Sequence, residues 1–246
     1  MTNMQFGIGQ PVPRKEDPKF LKGQGLYVGD IDLRNMAHAY VLRSPHANAK
    51  IISIDKDKAQ DAPGVILVLT GEDYRLSGLG NITCHSINPM LTGGLPVVQR
   101  PHGALVQDTV KCVGARVALI VAETLEQAKD ASELIEVEYE TLPSITSTAQ
   151  ARNSKAPIVW EGTDDNISFI YKIGDEPGVE VAIKNAANVI QAKISNNRVN
   201  TNAMEPRTSI GVFEKGEQKY TLYSGNQGPN RVREELANEI LNVPEA

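Results

Sequence analysis

The sequence predicts a mixed α/β fold of the α+β kind. Two observations carry this: a strand–helix–strand order that occurs twice within about 120 residues, and a polar connector after which strands and a helix begin again. The opening stretch, Gly7 to Lys22, mixes Gly9, Pro11, Pro13 and Pro18 with Arg14, Lys15, Glu16 and Asp17. That composition is too broken for a regular element, and it reads as an arm that lies against something. After the Gly23-Gln24-Gly25 turn, Met36–Arg43 and Lys50–Ile54 partly alternate apolar with polar or small residues, as half-buried strands do. Asp55 to Ala62 suits a short helix stopped by Pro63-Gly64, and Val65–Leu69 is an apolar run of buried-strand length.

The second unit carries stronger signals. Val117–Ala122 is a buried strand, and Thr124-Leu125-Glu126-Gln127 matches a capping box with Thr124 as N-cap. Ala128, Ala131, Leu134 and Ile135 fall on one face of the helix that follows, and Ile135–Tyr139 switches to period two. Tyr74 to His102 is rich in Gly, Asn, Ser and Pro without a period, so it reads as a long surface excursion. Pro143 to Pro177 is the polar connector and the best boundary. Beyond it, Val179–Ala187 reads as a helix, and Val189–Ile194, Thr208–Phe213 and Tyr220–Ser224 as strands. A last helix starts at Pro229, with Gly228 as N-cap and Val232, Leu236 and Ile240 as its apolar stripe, and ends near Asn242. These elements divide the chain into an arm (1–17), a first domain (18–145), a linker (146–178) and a second domain (179–246). Because the last helix would normally lead to another strand, the second domain reads as cut short, its stripe lacking cover.

Composition narrows the function classes. At 41% hydrophobic and 22% charged residues the usage is ordinary for a globular chain, and 5% aromatics with one Trp argue against a sugar or base-stacking platform. The formal charge of −5 arises without a basic block, so no nucleic-acid partner is expected. No apolar run approaches the roughly 20 residues of a membrane span, and Met1–Gln10 has no secretory pattern, so a cytoplasmic protein is expected. Cys84 and Cys112 form neither a CxxC pair nor a disulfide framework and read as buried or incidental thiols. The Gly7-x-Gly9 and Gly23-x-Gly25 pairs lack the strand, helix and third glycine of a dinucleotide fingerprint. His38, His46, His85 and His102 have no metal-ligand spacing, and Glu136/Glu138 and Glu234/Glu235 read as solvated carboxylates. No metal ligand and no catalytic residue emerges from these patterns.

Residue-level chemistry thus stops at an α/β chain of open role, and a family resemblance extends it. Arg14–Asp17, Gly23–Ile31, Arg43–Ala47 and Ala62–Val65 resemble, in order, the start of the large subunits of the xanthine dehydrogenase/aldehyde oxidase family of molybdenum hydroxylases. Cys112–Thr124, Ala128–Ala131 and Val137–Pro143 resemble the end of that family's a/b hammerhead domain. Asn202–Arg207 and Asn226–Pro229 resemble the opening of its first molybdopterin-binding domain. The sequence departs at Cys112 and Arg116, where the family more often carries an aromatic residue and a proline.

The resemblance implies a hammerhead domain over 18–145 and the incomplete start of a molybdopterin-binding domain over 179–246. It implies hydroxylation of an aldehyde or N-heterocycle with water as oxygen source, or oxidation of carbon monoxide, at a molybdenum–molybdopterin cofactor. Gln227 matches the family's glutamine whose amide hydrogen-bonds an oxo ligand of molybdenum. A neutral amide offers two N–H donors without adding charge, and Gln227 precedes a helix start. The family's glycine-rich segment and its glutamate base fall outside these residues, so the chain is expected to be inactive by itself. A [2Fe–2S] cluster needs four thiolates where two cysteines exist. The resemblance therefore places iron–sulfur and FAD groups on partner chains: an iron–sulfur small subunit, an FAD-binding medium subunit and the remainder of the molybdopterin-binding subunit. The rival reading is a non-catalytic scaffold or assembly subunit of a split hydroxylase.

Overall fold

The computed structural model describes residues 9, 13–83, 100, 102–197, 199–203 and 205–245. Their contacts divide into two compact units, Asn35–Ile194 with Gly228–Ala246, and Met1–Arg34 with Ser195–Gln227.

In the larger unit, β1 (His38–Arg43), β5 (Arg116–Ala122) and β3 (Val65–Thr70) form one sheet in the order β1-β5-β3. β4 (Thr109–Val110), β2 (Ala49–Asp55) and β6 (Glu136–Thr141) form another in the order β4-β2-β6. Every pairing is antiparallel. Both predicted strand–helix–strand units are present, but each crosses between sheets. The first runs from β2 through α2 (Asp57–Gln60) to β3, the second from β5 through α4 (Leu125–Ser132) to β6. The two helices therefore tie two small sheets together instead of linking parallel neighbours, which makes the fold α+β.

The apolar run of β5 is buried as expected, with Val117, Ala118, Ile120 and Ala122 fully so. α4 packs on β1 and β5 through Ala128 and Ala131, whose small side chains let helix and sheet approach closely. Ile54 and Val137 touch both buried clusters and join them into one core. The Thr124 capping box forms as the sequence predicts: Thr124 Oγ1 accepts from the Gln127 amide at 3.2 Å, and Gln127 Oε1 accepts from the Thr124 amide at 3.0 Å. Gly64, at φ +77°, lies directly against the Gln127 side chain, so a Cβ there would overlap it. Leu134, expected on the packed face, is 41% exposed because α4 ends at Ser132 and the chain has left helical geometry. The motif segments Arg43–Ala47 and Cys112–Arg116 meet in this unit. Buried Ser44 receives the Gly114 N–H on its carbonyl at 2.8 Å, and Arg43 donates to the Gly114 carbonyl at 2.9 Å. Cys112, expected to be buried or incidental, is exposed on this turn.

The predicted excursion from Tyr74 begins inside a helix, α3 (Gly71–Leu76), and residues 84–99 and 101 lie outside the described ones. α3 starts on a network the sequence reading missed. Asp73 Oδ2 accepts from Lys56 Nζ at 2.6 Å, from the Thr70 amide at 2.7 Å and from Thr70 Oγ1 at 2.8 Å. Burial pushes the Asp73 carboxyl up, but the Lys56 ammonium and the Thr70 donors outweigh it and hold the group below its usual range. A lowered folded-state value means the stabilisation is complete above the unfolded range near pH 4 and is lost as pH falls through the folded value. Asp73→Ala is expected to cost about 1–2 kcal/mol at pH 7. Its deficit against the unchanged protein should shrink below pH 4, as read by denaturant melts across pH; an equal deficit at pH 2.5 and 7 contradicts the assignment.

The connector is partly built. After α5 (Thr148–Ala151), Asn166 accepts the Val159 amide at 2.9 Å and donates to the Ala151 and Pro157 carbonyls. Lys111 Nζ donates to the Val159 carbonyl at 2.7 Å and sits 5.0 Å over the Trp160 ring. From residue 167 to 194 no side chain is buried, although α6 (Glu176–Asn185) forms with Asp175 accepting the Gly178 amide. The predicted strand Val189–Ile194 is absent: those residues pair with none of the described strands. The C-terminal helix forms as α7 (Pro229–Glu234) continued by a π-helix, Glu235–Leu241. Its stripe of Val232, Leu236 and Ile240, expected to lack much of its cover, is half-buried, and Ala237 is 5% exposed. The Gly80 amide donates to the Ile240 carbonyl at 2.9 Å, and a Cβ on Gly80 would overlap the Glu239 carbonyl.

In the smaller unit, β7 (Ser209–Glu214) and β8 (Lys219–Ser224) form an antiparallel hairpin, with Phe213 and Tyr220 paired across it at 4.6 Å. The 3₁₀ turn Val28–Asp30 contacts β7. The proline-broken arm does hold one regular piece, α1 (Asp17–Leu21); Pro18 stands at its start, where no intrahelical N–H is needed.

Candidate functional site

The β7–β8 register pairs Ser209 with Ser224, their hydroxyls 3.3 Å apart. Because the strands are antiparallel, the chain entering β7 and the chain leaving β8 emerge at the same end of the hairpin. The entering segment is Asn202–Arg207 and the leaving one is Gly225–Gln227, so the fold brings together two motifs separated by a whole hairpin in sequence. Their approach is close. A Cβ on Gly225 would lie 3.2 Å from Glu205 Oε1, tighter than an ordinary side-chain contact, so a glycine is suited here. Asn226 Nδ2 donates to the Ser224 carbonyl at 3.2 Å, turning the chain immediately before Gln227. Glu205, part of a motif but without a role in the sequence reading, supplies the carboxylate beside this turn; no spacing rule points to it, since the contact depends on the hairpin register.

Gln227 is exposed, and none of the described hydrogen bonds uses its side-chain amide. Both N–H donors are thus uncommitted by the described residues, as is needed of a group that receives a partly anionic ligand atom. The donor set fits a cofactor that carries its own metal ligands and takes only outer hydrogen bonds from this segment. Among the described residues no group of three or more His, Cys, Asp and Glu side chains could hold a metal ion. The His46 ring lies 4.7 Å from the Tyr139 ring and is tilted 59° to it, His38 is half-buried, His102 is exposed, and His85 and Cys84 lie outside the described residues. Glu136 pairs with Lys58 at 2.6 Å, Glu138 accepts from Ser53, and Glu235 pairs with Arg231 at 2.9 Å, so these acids are surface partners rather than a dyad. No helix among the described residues is long and apolar enough to cross a membrane.

The a/b hammerhead domain of aldehyde oxidase and xanthine dehydrogenase matches residues 22–143, and the molybdopterin cofactor-binding domain matches residues 159–246. The chain belongs to this family. The carbon monoxide dehydrogenase large chain of Afipia carboxidovorans is 31% identical over 97% of this chain and 29% of that one. The nicotine 6-hydroxylase large subunit of Paenarthrobacter nicotinovorans is 33% identical over 92% of this chain and 27% of its own length. Quinoline 2-oxidoreductase from Pseudomonas putida 86 superposes with a TM-score of 0.82 at 31% identity, covering 96% of this chain and 29% of the solved one. The chain therefore spans less than a third of the relatives it matches.

Proposed function

We propose that this chain supplies the hammerhead domain, over 18–145, and from residue 179 the opening of the molybdopterin-binding region of a cytoplasmic molybdenum hydroxylase. The enzyme oxidises an aldehyde, an N-heterocycle or carbon monoxide with water as the oxygen source. The observation that carries the reading is the hairpin end, where Glu205 lies against Gly225 and the Gln227 amide is uncommitted by the described residues. When bound, the molybdenum–molybdopterin cofactor supplies the two-electron oxidation. Gln227 holds and orients it from outside the metal's own ligands, by donating neutral hydrogen bonds that strengthen where water is excluded. The [2Fe–2S] and FAD groups would be held by an iron–sulfur small subunit and an FAD-binding medium subunit and would supply the path for electrons. That reading is supported by the relatives' description as large chains or large subunits and by a cysteine content too small for a cluster.

Elemental analysis tests the proposal. A complex of this chain with the remainder of a molybdopterin-binding subunit is expected to hold molybdenum close to one per chain, and the 246 residues alone essentially none. A stable complex free of molybdenum and pterin would favour a scaffold role instead.

A further inference from the structure

Gly225 is a glycine for a reason that its own backbone does not supply. Its φ lies outside the left-handed region, so an alanine would meet no backbone strain there. What stands in the way is Glu205: a Cβ on Gly225 would lie 3.2 Å from Oε1 and 3.4 Å from both Cδ and Oε2. The whole carboxylate group therefore lies against the turn. Glu205 is half-buried, and none of the described hydrogen bonds or ion pairs uses its carboxylate, so the contact is one of packing. Pro206 directly after it narrows the backbone choices of Glu205 and steadies the approach.

The consequence falls on Gln227, two residues further on. Its side chain is exposed and takes no direction from a described hydrogen bond, so the path of the backbone decides where the amide points. The Ser209–Ser224 register fixes that path as far as Ser224, the Asn226 bond to the Ser224 carbonyl turns it, and Glu205 braces the turn from the side. We infer that Glu205 is a positioning residue, which aims the Gln227 amide by packing its carboxylate against Gly225. The inference rests on the proposed function for what that amide is aimed at. A donor displaced by roughly 1 Å costs about 10²-fold in rate, so a brace at this distance from the amide has a large effect to exert. Because the contact is one of shape and not of charge, Glu205→Gln keeps it and Glu205→Ala loses it.

Nitrogen-15 relaxation of the full 246-residue chain reads the brace without any cofactor. The backbone order parameter of Gln227 is expected at about 0.85 in the unchanged chain and in Glu205→Gln, and below about 0.6 in Glu205→Ala. In the assembled, metal-loaded enzyme, Glu205→Ala should lower turnover by about 10²-fold at unchanged molybdenum content, and Glu205→Gln should restore most of it. Added to Gln227→Leu, Glu205→Ala should cost nothing further, since it acts through that amide. Equal order parameters in the unchanged chain and Glu205→Ala would overturn the inference, as would additive losses of turnover or a failure of Glu205→Gln to restore it. So would a loss of hydrogen-exchange protection along β7 and β8 in Glu205→Ala, which would make Glu205 a strut of the hairpin. A complex that holds no molybdenum contradicts the proposed function, and the order parameters then decide the positioning role by themselves.

Discussion

Ile120→Ala is expected to lower stability by roughly 2–5 kcal/mol, a shift on the order of 5–15 °C for a chain of this size. Ile120 is fully buried in β5, the middle strand of its sheet, opposite Tyr40 on β1 and Val68 on β3. Around it stand Ala59, Ala118, Ala122, Ala128 and Ala131, side chains too small to swing into the space that three deleted carbons would leave. Alanine neighbours also fix how close α4 lies to the sheet, so the cavity cannot close without moving a helix whose N-terminus is held by the Thr124 capping box. Ile52→Ala is the control: at a register irregularity of β2, Ile52 is 49% exposed, and the change should cost well under half as much. Urea melts that show equal losses for the two variants would contradict the assigned core.

The second large effect concerns Gln227. In the assembled, metal-loaded enzyme, Gln227→Leu is expected to reduce turnover about 10²–10³-fold, the usual cost of removing one preorganised donor from a developing charge. Molybdenum content should stay the same, since the glutamine is not a metal ligand in this reading. The side chain is exposed and makes none of the described hydrogen bonds, so the melt of the isolated chain should not change. A variant that turns over normally would remove Gln227 from the site, and one that melts early would make it a structural residue. Gln227→Glu separates donation from size: it keeps the length, replaces donors by a charged acceptor, and should be no better than leucine.

Local chemistry was legible in the sequence and long-range pairing was not. Thr124 and Gln127 announce a helix start because every group involved lies within four residues. The Thr70–Asp73 pair forms a similar start, but part of its stabilisation comes from Lys56, which no short window contains. A continuous apolar run located β5 and residue pattern the hairpin strands, yet neither says which strands pair, and both helical units proved to bridge different sheets. Val189–Ile194 shows the limit clearly, since its alternation reads as a strand while the described residues offer it no partner. Val232, Leu236 and Ile240 show the converse: a stripe expected to lack much of its cover is half-buried, and its helix is bonded to Gly80, in a segment without any period. The site was least legible. A glutamine before a proline-led helix is an ordinary cap, and only the ordered motif resemblance singled out Gln227. Its neighbourhood with Glu205 depends on the Ser209–Ser224 register.

The most direct measurement is anomalous diffraction at the molybdenum edge from crystals of this chain assembled with the remainder of a molybdopterin-binding subunit. The expected result is a single strong peak beyond the open end of the β7–β8 hairpin, with the cofactor in hydrogen-bonding reach of the Gln227 amide. A peak remote from Gln227, with Asn202–Arg207 and Gly225–Gln227 facing solvent or protein alone, would contradict it.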